Sequence, residues 1–409
     1  MDYILSEKTK ELVNTLTGLK EVKEGLAFLE ADHQKAIEEQ LELVVIKAPT
    51  FYEKERAEHY GKKLKGLGLE NVHIDNHCNV IGLKKGKGDG PAIIIEGHLD
   101  TVFPHEVEIS PVIKDGKIYA PGIADDTRGL AAVLSVIRAF NATNIPHLGD
   151  IYFVGTASEE GMGGLVGMKG FFENHKGKIA ASISIDGAGA DRIVCNATGI
   201  KTMEFNFHGI GGHAFGAFSK VANPLHACAR AVAKIANLEV PKEPKTTYAG
   251  SDAGIHAITE TAGFKINFRS NGIEELKKLE AAIFRCVEEA CKEESVFWGQ
   301  DTITSDFKYL VDVPAGVQDK NLPILEAAYA CMQHIGVAPS FMLDGCTNAN
   351  VPIGLGIPAV CIGRGSNEGG VHTTHEWFEI AGAYKSPQEA FLITLALSGV
   401  KGKTKSVLE

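Results

Sequence analysis

AIIIEGHLD, residues 92–100, is a short apolar run that ends in a glutamate, a glycine, a histidine and an aspartate. Apolar residues at successive positions describe a strand buried on both faces, as in a parallel sheet covered by helices. Three more runs of this kind follow, at 150–156, 181–185 and 358–362. Helical patterns separate them at 129–141, 164–174, 321–335 and 387–397. The fold class expected is therefore α/β, a mostly parallel sheet flanked by helices.

Outward from this centre, residues 6–17 and 20–47 carry apolar side chains at helical spacing until Pro49 ends the pattern. A further helix over about 53–67 precedes short strands at 72–74 and 80–83. Between 199 and 310 the rhythm changes to strand 202–208, helix 223–237, strand 263–269, helix 274–294 and strand 303–310. The sheet pattern resumes only afterwards, so this α+β unit reads as an insertion into the first domain. The expected division is 1–198 (with 1–34 as a helical extension), 199–310 and 311–409.

Composition narrows the partners. A chain of 409 residues is longer than one core usually serves, so two domains are expected. Its 41 Lys+Arg against 52 Asp+Glu leave a net charge of -11, which argues against nucleic acid or anionic membrane as the main partner. No segment approaches the roughly 18 apolar residues of a membrane span. The first residues, MDYILSEKTKELVNTL, lack the basic and then apolar regions of a signal peptide. The eight cysteines form no CxxC pair, and the chain reads as a reduced, cytoplasmic protein.

In an open parallel sheet, ligands bind beyond the carboxyl ends of the strands. Here those ends carry His98 and Asp100, Glu159 and Glu160, Asp186, and a glycine-rich run leading to His372; Asp125 and Asp126 stand just before a helix. Two imidazoles and three or more carboxylates around one crevice suit two borderline divalent ions, usually zinc, about 3.5–4 Å apart across a shared carboxylate. Asp100 is close enough to His98 to accept its ring N–H and fix the tautomer. Of Glu159 and Glu160, one can ligate while the other moves a proton. Each element alone has an ordinary reading: a structural histidine, an Asp-Asp helix cap, a solvated Glu-Glu loop. Their coincidence at five independent places carries the argument. The pair His375-Glu376 does not make a HExxH motif, because position 379 is Glu379.

The segments EGHLDTVFP (96–104), GIADDTRG (122–129), ASEEGMGG (157–164), the strand end at Asp186 and VHTTHEWFE (371–379) together resemble the dinuclear zinc exopeptidase and amidohydrolase family. That family includes peptidase T, glutamate carboxypeptidase, aminoacylase, acetylornithine deacetylase and succinyl-diaminopimelate desuccinylase. The resemblance covers roughly residues 35–400 and is nearest to peptidase T. It implies two divalent ions per subunit, zinc first, with cobalt or manganese as alternatives. His98 and Asp186 would hold one ion, Glu160 and His372 the other, and Asp125 would bridge them. Glu159 would be the general base, with Asp100 behind His98. The insertion would serve as lid and homodimer contact, with His213 reaching the partner's site and Arg269 receiving a substrate carboxylate. Asn348, in the loop GCTNAN (345–350), stands where many relatives carry Asp, beside the substrate. The implied reaction is hydrolysis of an amide bond in a small peptide. An N-acyl-amino-acid deacylase, a carboxypeptidase or a non-catalytic metal-binding homologue would share most of these residues.

Overall fold

In the computed structural model, the described residues are 3–212, 220–235, 237–251, 261–343 and 345–409. The chain forms two compact units, Met1–Ala197 with Val317–Glu409, and Thr198–Gly316. The boundary expected at 310 falls inside the strand Thr304–Val313, whose pairing with Gly199–His208 carries that unit on to Gly316.

The larger unit is built on an eight-stranded sheet. At its centre Ile151–Thr156, Ala92–His98, Ile179–Gly187 and Ala359–Gly363 run parallel, in that spatial order. On one side lie the antiparallel strands Val80–Lys84 and Glu70–Ile74. On the other lie Arg192–Val194, antiparallel to Ala359–Gly363, and Ser340–Met342. The central strands are buried almost end to end, as their apolar runs require. One face packs Ile93, Ile95, Ile183, Ile185, Val360 and Ile362 into a core shared with the helices Thr127–Thr143, Pro323–His334 and Lys385–Ser398.

Residues 20–47, expected as one helix, form two: Lys20–Ala31 and His33–Val44. The break falls at Asp32, whose carboxylate takes a forked pair of bonds from Arg138 (2.6 and 3.0 Å) and one from Ser135 (3.1 Å). A tertiary ion pair thus sits at the one residue between the two helices, a break that helical periodicity alone does not signal. A small antiparallel sheet of Glu368–Gly369, Trp377–Glu379, Lys117–Tyr119 and Val112–Lys114 also escaped the sequence reading. Strands this short, paired across some 250 residues of chain, leave no periodic signal.

The second unit is a four-stranded antiparallel sheet ordered Thr246–Ser251, Thr261–Ser270, Gly199–His208, Thr304–Val313, with helices Pro224–Ile235 and Ile273–Trp298. Its core stacks Phe205 on Phe264, with Phe207, Phe268, Ile283 and Val287 around them. Alternation of buried and part-buried residues along Gly199–His208 is the pattern of a sheet covered on one side. No helix among the described residues is long and apolar enough to cross a membrane.

One residue of the larger core is out of place. Glu389, on Lys385–Ser398, is fully buried and neither carboxylate oxygen has a hydrogen-bond partner. Burial holds its carboxyl well above the ordinary range, with Lys385 opposing. A carboxyl raised in the folded state contributes stability below its unfolded value, and that stability is lost as pH rises through the folded one. Replacing Glu389 by Met should therefore leave stability near pH 4.5 little changed. At pH 8 it should raise stability by about 1–3 kcal/mol. Urea denaturation at the two pH values checks this; equal effects at both would show the carboxyl to be ionised in the fold.

Candidate functional site

Strand ends and one helix start build the site within the larger unit. His98 closes Ala92–His98, and its backbone N–H donates to Asp126 Oδ2 (2.8 Å). Asp126 caps the helix Thr127–Thr143, its Oδ1 accepting from Gly129 N (3.0 Å). A Cβ at Gly129 would collide with that carboxylate and with Ile185 O, so only glycine lets helix, cap and strand meet. The helix-cap reading of Asp-Asp thus holds for Asp126, while Asp125, joined to it by a cis peptide bond, turns to the crevice.

Asp125 places its two oxygens on opposite sides. Oδ1 lies 2.9 Å from His98 Nε2, and Oδ2 lies 3.2 Å from His372 Nε2. Asp186 Oδ1 stands 3.8 Å from His98 Nε2, and Glu160 Oε1 stands 3.0 Å from His372 Nε2. Donor atoms of His98, Asp125 and Asp186 all fall within 4.8 Å of one another, as do those of Asp125, Glu160 and His372 and those of His98, Glu159 and Glu160. Imidazole and carboxylate donors at this spacing fit two divalent cations sharing Asp125.

His98 Nδ1–H donates to the backbone carbonyl of Asp100 at 2.9 Å, which leaves Nε2 to face Asp125 and Asp186. The Asp100 carboxylate, expected to make that bond, lies farther off at 3.6 Å. It accepts instead from the backbone N–H of Glu159 (2.9 Å) and Glu160 (3.0 Å) and from Thr50 Oγ1 (2.9 Å). Asp100 therefore orients both His98, through its main chain, and the Glu159-Glu160 segment, through its side chain. Glu53 supports the same segment, accepting at Oε1 from Ser158 N (2.9 Å) and Ser158 Oγ (2.8 Å). Non-glycine residues in the left-handed region cluster here, Phe51 (φ 72), Ser158 (φ 55) and His372 (φ 65), as backbone strain does at functional sites.

The charges explain the protonation states. Burial opposes a charge on His98, but Asp100, Asp125 and Asp186 raise its pKa well above the ordinary value. Burial likewise opposes ionising Asp125, yet Arg364, His372 and His98 hold its carboxyl well below the usual range. Contacts with Asp125 and Glu160 raise His372 to about 10. Burial pushes Asp186 up to about 6. It pushes Glu159 well up too, with Asp186 and Glu160 adding to the effect.

Two supporting residues were not legible as such. Glu376 is fully buried and accepts from the backbone N–H of Ala124 (2.8 Å), Asp125 (3.0 Å) and Gly122 (3.0 Å), shaping the Asp125 loop. Arg364, 3% exposed, directly follows the strand Ala359–Gly363 and lies among Asp125, Asp126, Asp186 and Glu368. A lone arginine within the glycine-rich run was the only signal in the sequence.

The remaining expected residues are Asn348 and Arg269, read as substrate contacts, and His213, read as catalytic. Asn348 is 1% exposed and donates to Thr156 Oγ1 (2.8 Å) and Glu96 Oε2 (3.1 Å), turned into the protein rather than toward a ligand. Burial raises Glu96 to about 7, so an amide donor suits it where a second carboxylate would repel it. Arg269 belongs to the other unit, exposed beside Asn267 (Nε to Oδ1, 3.0 Å). His213 lies outside the described residues.

Residues 94–388 match the sequence model described as Peptidase family M20/M25/M40. The crystal structure of aminopeptidase PepT from Bacillus cereus superposes with a TM-score of 0.72 at 26% identity, over 88% of this chain and 97% of that one. A dinuclear metal-binding peptidase of the M20 family from Bacillus subtilis gives 0.67 at 16% identity, over 90% and 99%. In sequence, the succinyl-diaminopimelate desuccinylase of Nitrosospira multiformis is 24% identical over 85% of this chain and 94% of that protein.

Because Glu376 holds three backbone N–H groups of the Asp125 loop, Glu376→Ala should cost about 2–4 kcal/mol in urea denaturation. It should also weaken binding of a divalent cation at these donors, followed with added zinc and a competing chelator. A cost below about 1 kcal/mol with unchanged zinc affinity would mean that the loop holds its own shape.

Proposed function

Given that the chain belongs to peptidase family M20/M25/M40, we propose that it hydrolyses an amide bond in small peptides at a two-cation centre, with Glu159 as general base. The observation that carries this reading is the split of the Asp125 carboxylate, one oxygen toward His98 and the other toward His372. His98 and Asp186 would hold one cation and Glu160 and His372 the other, with Asp125 shared between them. Zinc suits this mixture of imidazole and carboxylate, and cobalt or manganese can take the same donors.

When bound, two such cations would supply Lewis acidity toward the scissile carbonyl and toward water. The protein's own part is proton transfer and placement. Glu159, pushed up by burial and by Asp186 and Glu160, takes a proton from water and passes it to the leaving amine. Asp100 keeps Glu159 and Glu160 in register through their backbone N–H groups. The unit Thr198–Gly316 serves as lid and homodimer contact, with His213 completing the partner's site and Arg269 meeting a substrate carboxylate. Cytoplasmic small peptides are the substrate class, in keeping with the likeness to aminopeptidase PepT. A second reading, hydrolysis of N-acyl amino acids, has support from the 24% identity to a desuccinylase.

Glu159→Gln should lower turnover roughly 10²–10⁴-fold while metal analysis still finds about two ions per subunit. Parental activity in that variant would remove Glu159 from the mechanism. A panel of tripeptides, N-acetyl amino acids and N-succinyl amino acids separates the two readings: turnover of tripeptides alone supports the peptidase, and turnover of acylated amino acids alone overturns it.

A further inference from the structure

The hydrolytic reading leaves Arg364 unused, although it is the most heavily bonded cation in the site. Its backbone is fixed, with its N–H donating to Gly187 O at 2.7 Å. The preceding Gly363 passes so close to Gly189 O that no Cβ would fit there. Nη2 lies 2.7 Å from Asp186 Oδ1 and 2.9 Å from Asp125 Oδ1. Nη1 lies 2.5 Å from Glu368 Oε1, and Nε 3.3 Å from Asp126 Oδ1.

The two oxygens on Nη2 are the same ones that approach His98 Nε2, at 2.9 Å from Asp125 and 3.8 Å from Asp186. The donors facing His372, Asp125 Oδ2 and Glu160 Oε1, make no bond to the guanidinium. Arg364 is therefore attached to one half of the centre only.

We propose that Arg364 makes the two cation positions unequal: it weakens binding on the His98–Asp186 side, so that the Glu160–His372 side fills first. The inference rests on the two-cation reading. Guanidinium keeps its charge at every working pH, so it acts on both the empty and the loaded centre. Without a second cation, it offsets the charges of Asp125 and Asp186, which would otherwise repel each other in a buried crevice. With one, it occupies lone pairs on the oxygens that the cation needs and repels it at short range through a medium that screens poorly. The same contacts thus stabilise the cation-poor protein and lower affinity for the second ion.

Zinc titration against a competing chelator, together with thermal melts, tests this on the parent, Arg364→Gln, Arg364→Lys and His372→Ala. The parent should bind in two separated steps, and His372→Ala should remove the tighter one. Arg364→Gln should tighten the weaker step about tenfold or more and change the other less. Its zinc-free form should melt lower than the parent's, and zinc should raise its melting temperature by a larger increment. Lysine, which keeps the charge without the forked donors, should fall between parent and Gln. Should Arg364→Gln not fold, a weaker step in Arg364→Lys that matches the parent's overturns the proposal. So does a weaker step in Arg364→Gln that is unchanged or weakened further. Two steps untouched by either variant remove the role of Arg364 and leave the two-cation reading standing; no zinc bound by the parent removes both.

Discussion

The carboxylate of Asp125 is the point on which the site depends, because its oxygens reach His98 on one side and His372 on the other. A single short side chain can do this only if its backbone is held rigidly and its charge is offset from several directions. Glu376 provides the first condition by gathering three backbone N–H groups of the Asp125 loop. Arg364 and the two histidines provide the second, holding Asp125 ionised although burial opposes it. Asp126, next in the chain, locks the arrangement to the sheet by accepting from His98 N while capping the helix Thr127–Thr143. The small antiparallel sheet brings Glu376 to this loop across the length of the unit, with Ala120 N donating to Glu376 O at 3.2 Å.

Around that centre the acidic residues divide their work by what they accept. Asp100, Asp126, Glu53 and Glu376 take backbone N–H groups and set shape. Asp125, Asp186, Glu159 and Glu160 turn donor atoms toward one another and toward the imidazoles. Such a cluster is costly in a buried crevice unless cations share it, which is the physical reason for reading it as a metal centre rather than a structural network. Arg364 is a permanent cation already built into one side. The negative charge available to metals is therefore less than a count of carboxylates implies.

The residues that face the crevice were legible in the sequence because they sit at strand ends. A buried parallel strand is an apolar run, and the polar residue after it must emerge at the carboxyl edge of the sheet. His98, Glu160, Asp186 and their neighbours followed from that rule, and Asp125 from its place before a helix. What the rule cannot supply is the partner of each side chain. Asp100 was expected to hold the His98 ring with its carboxylate but holds it with its carbonyl, a difference of main chain against side chain that no spacing encodes. Asn348 was expected beside the substrate and lies buried against Glu96, since its environment comes from a strand some 250 residues away in sequence.

By itself, the sequence determined the α/β class, the inserted α+β unit and the chemistry brought to the sheet edge, all of which depend on local pattern and strand direction. Only the tertiary structure decided the break at Asp32, the small sheet carrying Glu376, and the position of Arg364 among four carboxylates. Each of these is an electrostatic or hydrogen-bonded contact between residues distant in the chain. Periodicity records which face of an element is buried, and it carries no record of which charge that face will meet.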